Sequence, residues 1–200
     1  MSKVAVPSVT QCLALMEQYE MLDNIRAHSL TVARVTEAIL TGMAETKIKA
    51  GIRLPDSELV VAGALLHDIA KTMCLGSACD HAQKGRDICR EHGYSAIGEI
   101  VREHVRLKDF STERYAQGIF FAQEIVYYAD KRVRHDSIVS LNERMIYIIE
   151  RYGNNDQQRY QLIHENFQRC RTLENHLFTC LNFSSDELAA QVSATTWPLR

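Results

Sequence analysis

The sequence predicts an all-α domain, and three observations carry that expectation. Two hundred residues with 46% hydrophobic and 24% charged side chains suit a single hydrophobic core, which excludes a disordered or fibrous chain. Only nine glycines and three prolines punctuate the chain, too few for the dense turns of a sandwich or barrel. The long stretches between them place apolar residues at helical spacing.

The elements follow in order. Val9 to Tyr19 carries Val9, Leu13 and Met16 behind a Ser8 cap, a short amphipathic helix. Asn24 to Glu45 repeats Ile25, Leu30, Val32, Val35, Ile39 and Leu40 and stops before Gly51 and Pro55. Asp56 caps a helix running to Ala70 that is apolar on nearly every side, hence deeply buried. Asp80 opens a helix to Glu91 that Gly93 ends, and Ser95 to Val105 makes another with Ile97, Ile100, Val101 and His104 on one face. Lys108 to Gly118 reads as a loop, and Phe120 to Arg134 as a helix. Ser140 and Glu143 stand in capping-box register before the apolar Met145, Ile146, Ile148 and Ile149 of a helix that Gly153 closes after Tyr152. Asp156 to Leu181 places Leu162, Ile163, Phe167, Cys170, Leu173, Leu177 and Leu181 along a stripe expected in the core. No repeat or Pro/Ser-rich linker divides the chain. One domain is expected: an N-terminal helix packing on the core (1–23), a main bundle (24–153), and a C-terminal helix and tail (154–200).

Twenty-three Lys and Arg against 25 Asp and Glu give a net charge of −2, which offers no global attraction to duplex nucleic acid. Any phosphate recognition is therefore local. No apolar run approaches the roughly 20 residues that span a bilayer, and the start MSKVAVPSVT lacks the apolar core of a secretory signal. The expectation is a cytoplasmic chain with no membrane partner. Its six cysteines, Cys12, Cys74, Cys79, Cys89, Cys170 and Cys180, are expected as reduced thiols. Cys74 and Cys79 could be read as a redox or zinc pair, but two soft ligands on a loop do not close a tetrahedral site.

The anomaly is GALLHDIAK, Gly63 to Lys71. A carboxylate beside an imidazole at the end of an oily helix is costly unless a bound cation neutralises and coordinates both. A self-satisfied cap is the alternative for His67 and Asp68. His28 comes early in an apolar helix, His81 in a first turn, His104 on the apolar face of VREHV, and Asp130 beside Ile125, Val126 and Ala129. Each alone suits a satisfied core or surface role; together, on five helices, four histidines and two aspartates describe a buried metal site in a bundle. Imidazole and carboxylate without thiolate favour iron, manganese, cobalt or nickel over magnesium.

The order His28, then His67-Asp68, then Asp130, with HDIAK close to an HDIGK-type form and ADK at Ala129 to Lys131, resembles the signature of the HD-domain metal-dependent phosphohydrolase superfamily from about Asn24 to Gly153. The resemblance implies an HD-domain helical bundle, here with a C-terminal helical extension. It also implies that His28, His67, Asp68 and Asp130 hold a first cation. Members with two cations carry extra histidines before the final Asp, and His81 and His104 stand there, with Asp68 then bridging. His92, next to Gly93, is a spare candidate better suited to a helix terminus. The chain departs from the cyclic-di-nucleotide branch in lacking a GYP tripeptide and in following His104 with Val105.

Such cations lower the pKa of bound water from about 15.7 toward about 7. Asp68 and Lys71 are the expected catalytic pair, Lys71 neutralising charge on the phosphoryl group; the alternative makes Lys71 a solvated helix-end lysine. Lys131 and Arg106 are expected to bind substrate, Arg106 within a basic cluster with Arg102 and Lys108, while Arg134 is expected at the surface. The implied function is hydrolysis of a small-molecule phosphoester, a nucleotide above all, with oligomeric state open. A di-iron HD-type oxygenase and a non-catalytic HD signalling module are the rival classes.

Overall fold

Helices dominate the computed structural model, which describes residues 4–46 and 51–194. Residues 1–3 of the expected N-terminal segment and the tail beyond 194 lie outside the described residues. Ten α-helices appear among the described residues, with one two-stranded hairpin.

Helix α1 (Val9–Gln18) begins on a reciprocal cap in which Ser8 Oγ accepts from Gln11 N and Ser8 N donates to Gln11. Helix α2 (Asp23–Glu45) follows, burying Val32, Val35 and Ile39. Helix α3 (Ser57–Leu66), capped by Asp56, is the axis of the bundle and packs on α1, α2, α5 (Ser95–Glu103) and α7 (Ala122–Lys131). Its all-round apolar character is thus used on every side. Burying Leu65 and Leu66 completely stabilises the fold by about 1.5–3 kcal/mol each. Gly63 lets α5 approach, because a Cβ there would lie 2.8 Å from Ile100.

Helix α4 (His81–Glu91), capped by Asp80, pairs closely with α5. Gly98 makes that pairing possible: a Cβ there would stand 2.9 Å from the Arg86 carbonyl. Helix α7 is anchored by buried Glu124, which accepts from Phe121 N at 2.7 Å, from Tyr115 Oη at 2.8 Å, and from both Nη atoms of Arg114 at 2.6 and 2.8 Å. Helix α9 (Gln157–Phe178) packs on α7 and on α8 (Leu141–Tyr152), and α10 (Leu188–Ala194) packs on α2. Buried Arg132 ties this extension to the bundle by donating to Tyr128 Oη, Glu174 and the Ser185 carbonyl.

Several expectations are corrected. The α3 helix ends at Leu66 and not at Ala70, because backbone bonds from Ile69 N to Leu66 O and Lys71 N to Asp68 O tighten the chain into turns. The loop from Lys108 to Gly118 contains a short helix, α6 (Thr112–Ala116), started by a Ser111 cap. The helix expected to reach Arg134 stops at Lys131 and gives way to an antiparallel hairpin, β1 (Val133–Arg134) with β2 (Ser137–Ile138), turned at His135 with φ of 55°. In α8 the inward face is Leu141 and Arg144, while Ile146 is 53% exposed. On α9 the stripe is buried from Phe167 to Leu177, but Leu162 is 45% exposed. Cys74 and Cys79, expected as reduced thiols, are joined in a disulfide; Cys12, Cys89, Cys170 and Cys180 are free and buried. Among the described residues no helix is long and apolar enough to cross a membrane.

Candidate metal centre

Helix ends assemble the site. His28 lies in the second turn of α2, His67 is the last, capping residue of α3 with Asp68 in the turn beyond it, and His81 is the first residue of α4. His104 caps the C-terminus of α5, and Asp130 lies in the last turn of α7. Three helices, α3, α5 and α7, thereby aim their negative dipole ends at one point, which favours positive charge there. The tight turn after Leu66 lets the adjacent His67 and Asp68 converge, although in a continuous helix they would diverge by about 100°.

Each Asp68 oxygen faces a different set of nitrogens. Oδ1 is 3.4 Å from His81 Nε2 and 3.5 Å from His104 Nε2. Oδ2 is 3.4 Å from His67 Nε2, 4.0 Å from His28 Nε2 and 2.7 Å from Lys71 Nζ. Asp130 Oδ1 is 3.0 Å from His28 Nε2 and 3.8 Å from His67 Nε2. His81 and His104 bring their Nε2 atoms within 3.2 Å of each other. Two ligand groups result, His28 with His67 and Asp68, and Asp68 with His81 and His104, each with its donor atoms within 4.8 Å of one another.

The residues fit a bound cation on their hydrogen bonding. His28 Nδ1 lies 2.9 Å from the His135 carbonyl, His67 Nδ1 2.7 Å from that of Ala64, and His104 Nδ1 2.5 Å from that of Val101. A carbonyl only accepts, so each Nδ1 is the donor, and in the neutral ring each Nε2 turns a lone pair inward, the usual support of a metal-bound imidazole. These lone pairs converge on two carboxylates, with no donor to satisfy buried His67 Nε2 or Asp68 Oδ1.

Protonation follows from burial and neighbouring charge. Burial lowers the pKa of His28 and His104, and burial with the adjacent His104 brings His81 down to about 4. His67 is the exception: burial pushes it down, but Asp68 and Asp130 outweigh that and raise it, so positive charge is favoured at the centre. Burial opposes ionisation of Asp68 and Asp130, yet Lys71 and His67 hold the first, and Lys131 and His28 the second, well below the usual carboxylate range.

A cavity of about 810 Å³ opens beside this cluster, lined among others by Lys71, His81, His104, Arg106, Asp130 and Lys131. Lys131 is buried and committed, its Nζ donating at 2.8 Å to both the His104 carbonyl and Asp130 Oδ2. It therefore holds Asp130 in place, where sequence reasoning expected a phosphate contact. His92 stands apart from the cluster, 3.0 Å from Tyr19 Oη. Arg102 bonds Gln83, and Arg134 lies over the Tyr147 ring. Arg144 was missed: it is 6% exposed, lines the cavity and places Nη2 3.5 Å from Asp130 Oδ1. Its only sequence signal was the three-residue spacing from Leu141, hidden by the isoleucines beside it.

Comparison with known proteins gives a consistent family match. The model of the HD domain matches residues 25–135, more than half of the chain and all the histidines and aspartates above. A tRNA (cytidine(56)-2'-O)-methyltransferase of Picrophilus torridus is 28% identical over 193 residues, covering 92% of this chain and 50% of that protein. The protein of the same name from Thermoplasma volcanium is 27% identical over 192 residues, with the same coverage of 92% and 50%. The chain thus spans about half the length of the curated relatives it matches. No solved structure matches.

Proposed function

This chain belongs to the HD-domain family, and from that premise we propose that it is a metal-dependent phosphohydrolase of a small phosphoester, a nucleotide above all. The carrying observation is the set of buried Nε2 atoms, each turned by a backbone carbonyl on the far side of its ring, that converge on Asp68 and Asp130. His28, His67, Asp68 and Asp130 would hold one cation, and Asp68, His81 and His104 a second. Such a ligand set suits iron, manganese, cobalt or nickel better than magnesium. Bound there, divalent cations supply Lewis acidity toward water and toward phosphoryl oxygens.

The chain's own residues set the rest. Asp68 divides its two oxygens between the two ligand groups, so its carboxylate fixes their separation. Lys131 holds Asp130 through Oδ2, while Arg144 stands beside Oδ1, the oxygen that His28 also faces. Lys71, hydrogen-bonded to Asp68 and lining the cavity, keeps a positive charge where a phosphoryl group enters. Arg106, exposed at the same cavity, guides the anion in. The relatives' names concern tRNA, which adds RNA phosphoesters to the substrates worth assaying.

The test is hydrolysis, read as phosphate release or as chromatographic product, of a panel of aryl phosphates, nucleoside monophosphates, cyclic nucleotides and a short RNA, run without oxygen in the presence of manganese, cobalt, nickel or ferrous iron. The expected result is metal-dependent release that a chelator abolishes and added metal restores. Oxygen consumption in a parallel aerobic run, with no phosphate released in either, would support the oxygenase class instead, and bound metal without turnover of any ester would support a signalling module.

A further inference from the structure

The cavity beside the cluster carries more positive charge than one phosphate explains. Arg106, Arg144, Arg151 and Arg159 line it together with Lys71 and Lys131, and Asp130 is the only acidic side chain on its wall among the described residues. The chain as a whole has a net charge of −2, so this concentration of cations is local. Lys71, Lys131 and Arg144 already face Asp68 or Asp130, so the charge left for an entering anion is that of Arg106, Arg151 and Arg159, with Arg144 beside them.

Three of these arginines lie on α8 and α9, beyond the residues 25–135 that carry the family match. Arg144 and Arg151 are two helical turns apart on α8 and so share a face. Arg144 is 6% exposed, lines the cavity, meets Asp130 only at 3.5 Å through Nη2, and has a buried Nε with no hydrogen-bond partner. Arg159 meets only Asp156, at 3.7 Å with both side chains about half exposed, a pair too weak to commit it. Beside these arginines the wall turns apolar through Ile148 and Leu162, and Leu162 is 45% exposed there. A planar guanidinium offers paired N–H donors to phosphate oxygens, which a lysine does not.

From this we infer that Arg144, Arg151 and Arg159 form a second anion subsite, and that the substrate is a nucleotide carrying a further phosphate besides the one cleaved at the His–Asp cluster. The inference rests on the hydrolase function proposed above. A volume of about 810 Å³ matches a small-molecule site, and the apolar patch between the arginines accommodates a base or ribose.

The test is calorimetric titration of the purified protein with adenosine monophosphate and with an adenosine bisphosphate, each also assayed for phosphate release. The bisphosphate is expected to bind at least about tenfold more tightly, since one charge-assisted hydrogen bond is worth about that factor. Arg151→Ala with Arg159→Ala, both on exposed side chains, should remove most of that preference. Equal binding of the two nucleotides by the unaltered protein overturns the subsite whether or not either is hydrolysed. A single-stranded oligonucleotide that competes tenfold better than the bisphosphate overturns the small-molecule assignment. Arginine-dependent preference without any phosphate release keeps the subsite and rejects the hydrolase function, so the two failures are distinct.

Discussion

His81→Ala separates a metal-binding role from a packing role, because this histidine is a ligand candidate that contributes little to the core. Its side chain is 28% exposed, and its contacts are Asp68 at 3.4 Å and His104 at 3.2 Å. Its loss leaves the group of Asp68, His81 and His104 one donor short, while His28, His67, Asp68 and Asp130 are untouched. Metal content should therefore fall by about one equivalent per chain. With a cation at a hundredfold excess over its Kd, the lost binding energy is about 2.7 kcal/mol. In a chain of this length that is a drop of about 5–10 °C in Tm. With a chelator present, the variant and the unaltered protein should agree to within about 1 kcal/mol, as for a substitution of one half-buried side chain. The assays are elemental analysis and thermal unfolding with and without metal. An unchanged metal content, or the same Tm difference in both conditions, would refute the second cation group.

Three other substitutions probe the frame around the site. Lys71→Ala removes the ammonium at 2.7 Å from Asp68 Oδ2 and should lower turnover on the order of 10²–10³-fold with metal content retained; loss of metal alongside rate would make it a support for Asp68 only. Glu124→Ala strips half-buried Arg114 and buried Tyr115 of their shared acceptor and should cost about 1–3 kcal/mol in urea unfolding for the buried donors left unpaired, whereas a loss under about 0.5 kcal/mol would show that the network is dispensable. Gly98→Ala drives a methyl toward the Arg86 carbonyl and should destabilise the α4–α5 pair by about 1–3 kcal/mol, with unaltered stability showing that these helices can part without penalty.

What could be seen in the sequence was what is local or periodic. Ser8, Asp56, Asp80 and Ser140 are caps in the structure because a short polar side chain reaches a backbone N–H two or three residues ahead, whatever the rest of the fold does. The oiliness of Leu59 to Leu66 likewise announced a helix packed on all sides. His28, His67, Asp68, His81, His104 and Asp130 stood out as polar groups in apolar settings, and the structure brings all six together. Hidden were features decided by tertiary contacts. Arg144 sits on the inward face of α8, while the more hydrophobic Ile146 faces outward. No periodicity reveals that an arginine is turned in to meet Asp130. Lys131 looked like a phosphate ligand, yet its ammonium is taken by the His104 carbonyl, 27 residues away in sequence. The hairpin at 133–138 has strands of two residues each, too short for an alternating pattern, and the turn after Leu66 contains no glycine or proline to mark it.

The central claim is that Asp68 is shared by two cation groups, and metal analysis of Asp68→Asn tests it most directly. The substitution keeps the size of the side chain and removes the charge that faces four histidines and Lys71. The account predicts about two equivalents of transition metal per chain in the unaltered protein and loss from both groups in the variant, to well below one equivalent. Metal content in Asp68→Asn equal to that of the unaltered protein would contradict it.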